Sequence, residues 1–407
     1  MLGLSLEGGG AKGAYQFGAW KAFRELGMEF DGITGTSIGA LNGALMIQED
    51  YEKAYEIWQE IAPEKILNID SKLYNIIMET GIKPDQIQFV LEQAQRFVKD
   101  VGLDVGPLVK MIRETTKEEV IRGSKKDFGF VTVSLSDLKP LELFKEEVPR
   151  GKMADYLLAS SYLPIFKPEK IDGKTFLDGG FYNNLPINML YQKGYKKVVA
   201  VRLMSKGRIK KVNFEDLEVT YIKPKHDLGN MLDLSREKAT FNIKLGYYDT
   251  LKVFKSLYGE NYYVKDKITD LEGIKFLQEL KQETIEKIGN LLGLSTELPK
   301  NRLVLEELVP KLIQLLGCRK EVSYGELVLK LLEEIAAHEK VELFNIYSLQ
   351  EFMEEINNRK VPMEKTTDTL FQSSALLLRF NKDKILEKLI EIMLTSEEEI
   401  RIQRLSN

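Results

Sequence analysis

Leu2 to Leu6 form a short apolar run that stops at Glu7, a pattern that predicts a buried strand. After a glycine cluster, Tyr15, Ala19, Ala22 and Leu26 recur at helical spacing up to Gly27, so the first unit reads as strand, tight turn, helix. A second such unit follows: Phe30 to Thr34 leads into GTSIGALNGALMIQ, whose small and apolar residues predict a turn entering a helix packed closely on something flat. Residues 50–125 are mostly helical by pattern, with Pro84 at the first turn of a helix through Phe89, Val90, Phe97 and Val98. Phe128–Leu135 and Val198–Leu203 read as interior strands, with helices over Met153–Tyr162 and Ile187–Lys193 between them. This alternation predicts an α/β layer structure. From Ser235 a helical pattern runs to about Tyr258. Beyond it, charged leucine-rich segments, a capping box at Ser348 and Glu351 and a glycine stop at Gly317 predict helices alone. The expected division is an α/β domain over 1–260 and a helical domain over 261–407, as the length of 407 residues suggests.

Composition narrows the function classes. The 58 Lys+Arg are balanced by 62 Asp+Glu for a net charge of -4, which supplies no field to hold a nucleic-acid backbone. Cys318 is the single cysteine, so intrachain disulfides and cysteine zinc sites are excluded and a reducing, cytoplasmic setting is expected. MLGLSLEGGG lacks the basic leader and cleavage site of a secretory signal, and no apolar run is long enough for a membrane helix, so membrane contact is expected to be peripheral at most. Two histidines, His226 and His338, rule out a three-histidine metal centre; no metal and no cofactor is expected. Eleven of the 30 glycines fall in the first 45 residues, where something requires close backbone approach.

Two constellations there can do chemistry. Gly8-Gly9-Gly10-Ala11-Lys12-Gly13 lies between strand and helix, where outward N–H groups and the helix N-terminus can hold a phosphate or an oxyanion. It also satisfies GxGxxG, but the acidic residue that grips a ribose is missing from Ile33-Thr34-Gly35-Thr36-Ser37. Gly35-Thr36-Ser37-Ile38-Gly39 is a GxSxG elbow that would present Ser37 as a nucleophile; a solvent-facing N-cap serine is the plain alternative. A base is needed. His226, in IKPKHDLGN, permits a Ser-Asp-His order, whereas Asp178 in TFLDGG would stand at a strand end; Asp-Gly is equally an ordinary turn.

With GGGAKG, GTSIG and DGG in this order, and with ASSYLPIFKP, Asn183-Asn184-Leu185-Pro186 and GYYDT alongside, the chain resembles a bacterial patatin-like phospholipase over about residues 1–255. The resemblance implies a three-layer α/β/α fold with a mostly parallel sheet, followed here by helices outside the likeness. It implies Ser37 as nucleophile, Asp178 as the base that takes its proton directly, and Gly8, Gly9 and Gly10 as the oxyanion loop, with Lys12, Gly13, Gly35, Gly39, Gly179, Gly180 and Asn183 in support. Tyr162 to Phe166 could line an acyl channel or simply be core. The implied substrates are fatty-acyl esters, in phospholipids or simpler lipids. In a dyad the site must raise the aspartate's basicity by partial desolvation or draw on oxyanion stabilisation to complete proton transfer, and burial near apolar residues is predicted. The competing class is a non-catalytic protein that binds a nucleotide or lipid on the GGGAKG loop and a partner on its helical domain.

Overall fold

The computed structural model describes residues 1–68, 103–167, 170–294, 297–359, 382–396 and 400, which fall into two compact units, Met1–Val253 and Phe254–Asn407. The helix expected from Pro84 lies outside the described residues.

The first unit is built on one sheet. Its strands are β1 (Leu2–Leu6), β2 (Gly32–Thr36), β3 (Asp127–Ser134), β4 (Lys139–Phe144), β5 (Lys170–Ile171), β6 (Lys174–Asp178), β7 (Lys197–Val201) and β8 (Glu218–Ile222). The hydrogen-bonded path runs β5-β6-β3-β2-β1-β7-β8, with β4 paired to β3. The pairs among β3, β2, β1, β7 and β8 are all parallel, which makes the sheet mostly parallel as expected. The antiparallel members β4, β5 and β6 gather around β3.

β3 explains where the site forms. β4 covers residues 129–134 of β3 on one edge, so the other edge must hold both remaining partners. There β2 pairs as far as Thr36 opposite Val131, and the pairing with β6 takes over at the next residue, with Asp178, the last residue of β6, opposite Thr132. β2 and β6 run in opposite directions, so their C-terminal ends abut on one strand.

The period-2 alternation of the strands assigns their faces. Leu6, Ile33 and Phe128 lie beneath Gly43 of α2 (Ile38–Ile47), which follows β2, as α1 (Ala14–Glu25) follows β1. Toward the opposite side point the small residues. Gly3 faces Leu190 and Tyr195, and the Thr34 hydroxyl donates to the Pro186 carbonyl, so the helix Ile187–Gln192 lies close to the sheet. Leu185, Ile187, Leu190, Tyr195, Val198 and Ala200 form the apolar cluster between them. Helices on both faces give the expected three layers.

Among its described residues the second unit is helical apart from one parallel pair of two-residue strands, Tyr263–Val264 and Ile346–Tyr347. Its apolar cluster draws on the helices Asp270–Glu279, Gln282–Leu292, Tyr324–His338, Leu349–Arg359 and Lys382–Ser396. The predicted capping box is present: Glu351 N–H donates to Ser348 Oγ at 3.2 Å and Ser348 N–H to the Glu351 carboxylate at 2.7 Å. Gly317 has φ 67°, the left-handed conformation of a helix stop.

Candidate active site

Ser37 sits at the N-cap of α2 with φ 56° and ψ -127°, a region that costs a non-glycine residue on the order of 1–3 kcal/mol. Close packing holds it there. Gly39 is pressed on β1, since a Cβ at this position would lie 2.4 Å from the Leu6 carbonyl oxygen. Gly35 packs against the Gly39 backbone and Gly13 against Ile38, so the glycines on either side of the elbow all face neighbouring chain. The Ser37 N–H donates to Ser160 Oγ at 3.0 Å, and that hydroxyl donates onward to the Val131 carbonyl at 2.6 Å. Ser160, the last residue of the helix Met153–Ser160, thereby fills the gap where the C-terminal ends of β2 and β6 meet.

Asp178 closes β6 and is buried, 4% exposed. Its N–H donates to the Tyr162 carbonyl at 2.8 Å, and its Oδ1 accepts the Gly180 N–H at 2.7 Å. Burial raises its pKa to about 6, against the opposing pull of hydrogen bonds from the Ser37 hydroxyl and the Gly180 N–H. The Ser37 contact falls short of full hydrogen-bond geometry, for Oδ2 is buried with no partner that meets it. Gly179 packs on the Val131 carbonyl and Gly180 beside Asn184.

The turn after Asp178 is tied to the elbow and to the glycine loop. The Thr36 hydroxyl donates to the Asn183 carbonyl at 2.8 Å. Asn183 Nδ2 donates to Asn188 and Glu142. Asn184 grips Gly8 in both senses: its carbonyl accepts the Gly8 N–H at 3.0 Å and its Nδ2 donates to the Gly8 carbonyl at 3.1 Å. The Gly8 N–H is therefore engaged within the protein, while no described group accepts from the N–H of Gly9 or Gly10. Gly10 has φ 58° and lies against the Met231 carbonyl, a position that admits no side chain without strain.

Other candidates take ordinary places. Lys12 is half-buried, and burial lowers its pKa, partly offset by Asp227 and Glu7. Of the run after Ser161, Tyr162, Ile165 and Phe166 are buried and Pro164 is exposed. His226 packs edge-on to the Phe241 ring, and His338 pairs with Glu339. Among the described residues no group of His, Cys, Asp and Glu could hold a metal ion, and no helix is long and apolar enough to cross a membrane.

Two contributors went unread in the sequence. Ser160 stands within ASSYLPIFKP, where no local pattern marks its double hydrogen bond. Glu7, fully buried, accepts from Arg202 Nε at 2.7 Å and from the N–H groups of Leu203 at 2.7 Å and Ser205 at 3.2 Å, fixing the segment after β7 that flanks the glycine loop. An acid at the end of an apolar strand was its only signal.

Residues 4–191, which include Ser37 and Asp178, match the family model described as Patatin-like phospholipase. Patatin-like phospholipase domain-containing protein 7 of Mus musculus is 27% identical over 222 residues, 53% of this chain and 14% of the relative. Neuropathy target esterase sws of Drosophila melanogaster is 26% identical over 220 residues, again 53% and 14%. Lysophospholipase NTE1 of Kluyveromyces lactis is 28% identical over 216 residues, 49% of this chain and 12% of the relative. The chain thus matches a small part of each of these longer proteins. All three are eukaryotic, so they carry the family but not the bacterial branch of the resemblance. With its mostly parallel sheet and flanking helices, the first unit has the patatin fold, and residues 4–191 are similar to the patatin-like phospholipases.

Proposed function

We propose that the chain is a lipid acyl hydrolase, a phospholipase A, lysophospholipase or related carboxylic ester hydrolase, that works through a Ser37–Asp178 dyad. The observation that carries this reading is the meeting of the two side chains where β2 and β6 abut on β3, with the aspartate pKa lifted to about 6. An ordinary aspartate, of pKa about 3.9, is a poor base for a serine hydroxyl; one near 6 is still mostly ionised at neutral pH and accepts a proton more readily.

In the proposed cycle Ser37 Oγ attacks the ester carbonyl while its proton passes to the Asp178 carboxylate. The oxyanion that forms is held by the N–H groups of Gly9 and Gly10, aided by the start of the following helix. Gly8, whose N–H is engaged by Asn184, serves to hold the loop instead. Collapse of the tetrahedral intermediate breaks the ester C–O bond, and Asp178 returns the proton to the departing alcohol. Water, deprotonated by Asp178, then attacks the acyl-enzyme and frees the fatty acid and Ser37. The lysophospholipase among the relatives supports fatty-acyl esters as substrates.

The test is labelling with a fluorophosphonate and hydrolysis of a panel from short aryl esters through lysophospholipids to diacyl phospholipids. Labelling at Ser37 is expected, with loss of turnover in Ser37→Ala and in Asp178→Asn and retained turnover in His226→Ala. Full activity in either dyad variant would sink the reading.

A further inference from the structure

Between Leu203 and Phe214 the chain carries four basic residues and no acid, although its net charge is -4. The backbone of this segment is fastened to the candidate site at both ends. The Ser205 N–H donates to Glu7 at 3.2 Å, the Arg208 N–H to the Gly180 carbonyl at 2.9 Å, and the Asn184 N–H to the Arg208 carbonyl at 2.6 Å. Gly207 packs directly on Asn184. Of the four cations only Lys210 is internally satisfied, paired with Glu142 at 2.9 Å and set over the Tyr182 ring. Lys206, Arg208 and Lys211 are exposed and form no ion pair with any described residue. Large apolar side chains stand beside them: Met204, at φ 49°, and Phe181, which follows Gly180, are each 56% exposed.

We propose that this rim docks the protein on an anionic lipid surface, with Lys206, Arg208 and Lys211 at the phosphate level and Met204 and Phe181 entering the headgroup layer. Cations alone would suit any polyanion; apolar side chains among them favour an interface that is charged outside and apolar within. Because the segment is anchored to Glu7 and Gly180, docking brings the surface to the residues on either side of Ser37. Each cation near such a surface strengthens partitioning by about fivefold, and three together by about a hundredfold.

The inference goes beyond the hydrolase reading, and its test needs no turnover. The full-length Ser37→Ala chain is sedimented with vesicles of phosphatidylcholine alone and of phosphatidylcholine mixed with phosphatidylglycerol, at low and high salt. Binding to the mixed vesicles that weakens with salt is expected. Lys206→Gln, Arg208→Gln and Lys211→Gln combined should lower it by about a hundredfold. The charge-preserving set Lys206→Arg, Arg208→Lys and Lys211→Arg should restore it. Lys125→Gln, Lys196→Gln and Lys197→Gln remove the same charge beside the starts of β3 and β7, at the other end of the parallel strands, and should leave binding within about twofold. Equal loss in this control, or unchanged binding by the triple glutamine variant, would overturn the proposal, as would indifference to phosphatidylglycerol.

Discussion

The hydroxyl of Thr36 reaches the carbonyl of Asn183 across 2.8 Å, fastening the residue before Ser37 to the turn that follows Asp178. Both partners are fully buried, so the bond exchanges with no solvent and sets how far apart the elbow and the turn can move. Thr36→Val keeps the shape and leaves the Asn183 carbonyl unpaired, a loss of about 1–3 kcal/mol in stability. Turnover of a short ester should fall more than apparent substrate affinity, because the bond aligns reacting groups; steady-state kinetics and thermal melts of the two proteins check both effects. Unchanged turnover would mean that the spacing is held elsewhere.

In the proposed dyad Asp178 must be ionised to act as base, so kcat/KM should be half-maximal near pH 6 and fall about tenfold per unit below it. A pH–rate profile on a soluble ester measures this. A midpoint near pH 4 would contradict the desolvated carboxylate.

The same shift bears on stability. With a folded pKa of about 6 against a usual 3.8, folding takes up a proton between these values, so the stability present below pH 3.8 is lost as the pH rises through 6. Above that window the buried charge costs on the order of 3 kcal/mol. Asp178→Asn should therefore melt higher than the unsubstituted chain at pH 8 while losing turnover, and the gap should close toward pH 4. A lower melting temperature at pH 8 would count against the assignment.

Gly39→Ala should be severe. Its Cβ would stand 2.4 Å from the Leu6 carbonyl oxygen, so helix and strand must separate, at a cost of about 3 kcal/mol or more. Denaturant melts should show the loss, and fluorophosphonate labelling of the residual folded protein should slow as Ser37 shifts.

Much of this arrangement was readable from residue order. The apolar run before Glu7 is the strand Leu2–Leu6, and the pattern beginning at Tyr15 is the helix Ala14–Glu25. Both are local signals, in which side-chain period and glycine punctuation act within a few residues. The elbow was legible for the same reason. The antiparallel return of β6 onto β3 was not, because pairing register is decided by contacts distant in sequence. Nor was the loss of Gly8 as a free donor: Asn184 reaches it from far along the chain, and only three-dimensional proximity reveals that its amide and carbonyl are both occupied. Ser160 was hidden likewise, since a serine at a helix end normally signals nothing beyond its own turn.

The end-to-end meeting of β2 and β6 along β3 also sets a timetable for the growing polypeptide. Ser37 leaves the ribosome early, with its elbow able to form, but Asp178, its partner in the proposed dyad, arrives much later and takes its place only after the β6 hairpin has folded back beside Thr132. Under the proposed dyad, a nascent chain that has not reached this point carries a serine with no base.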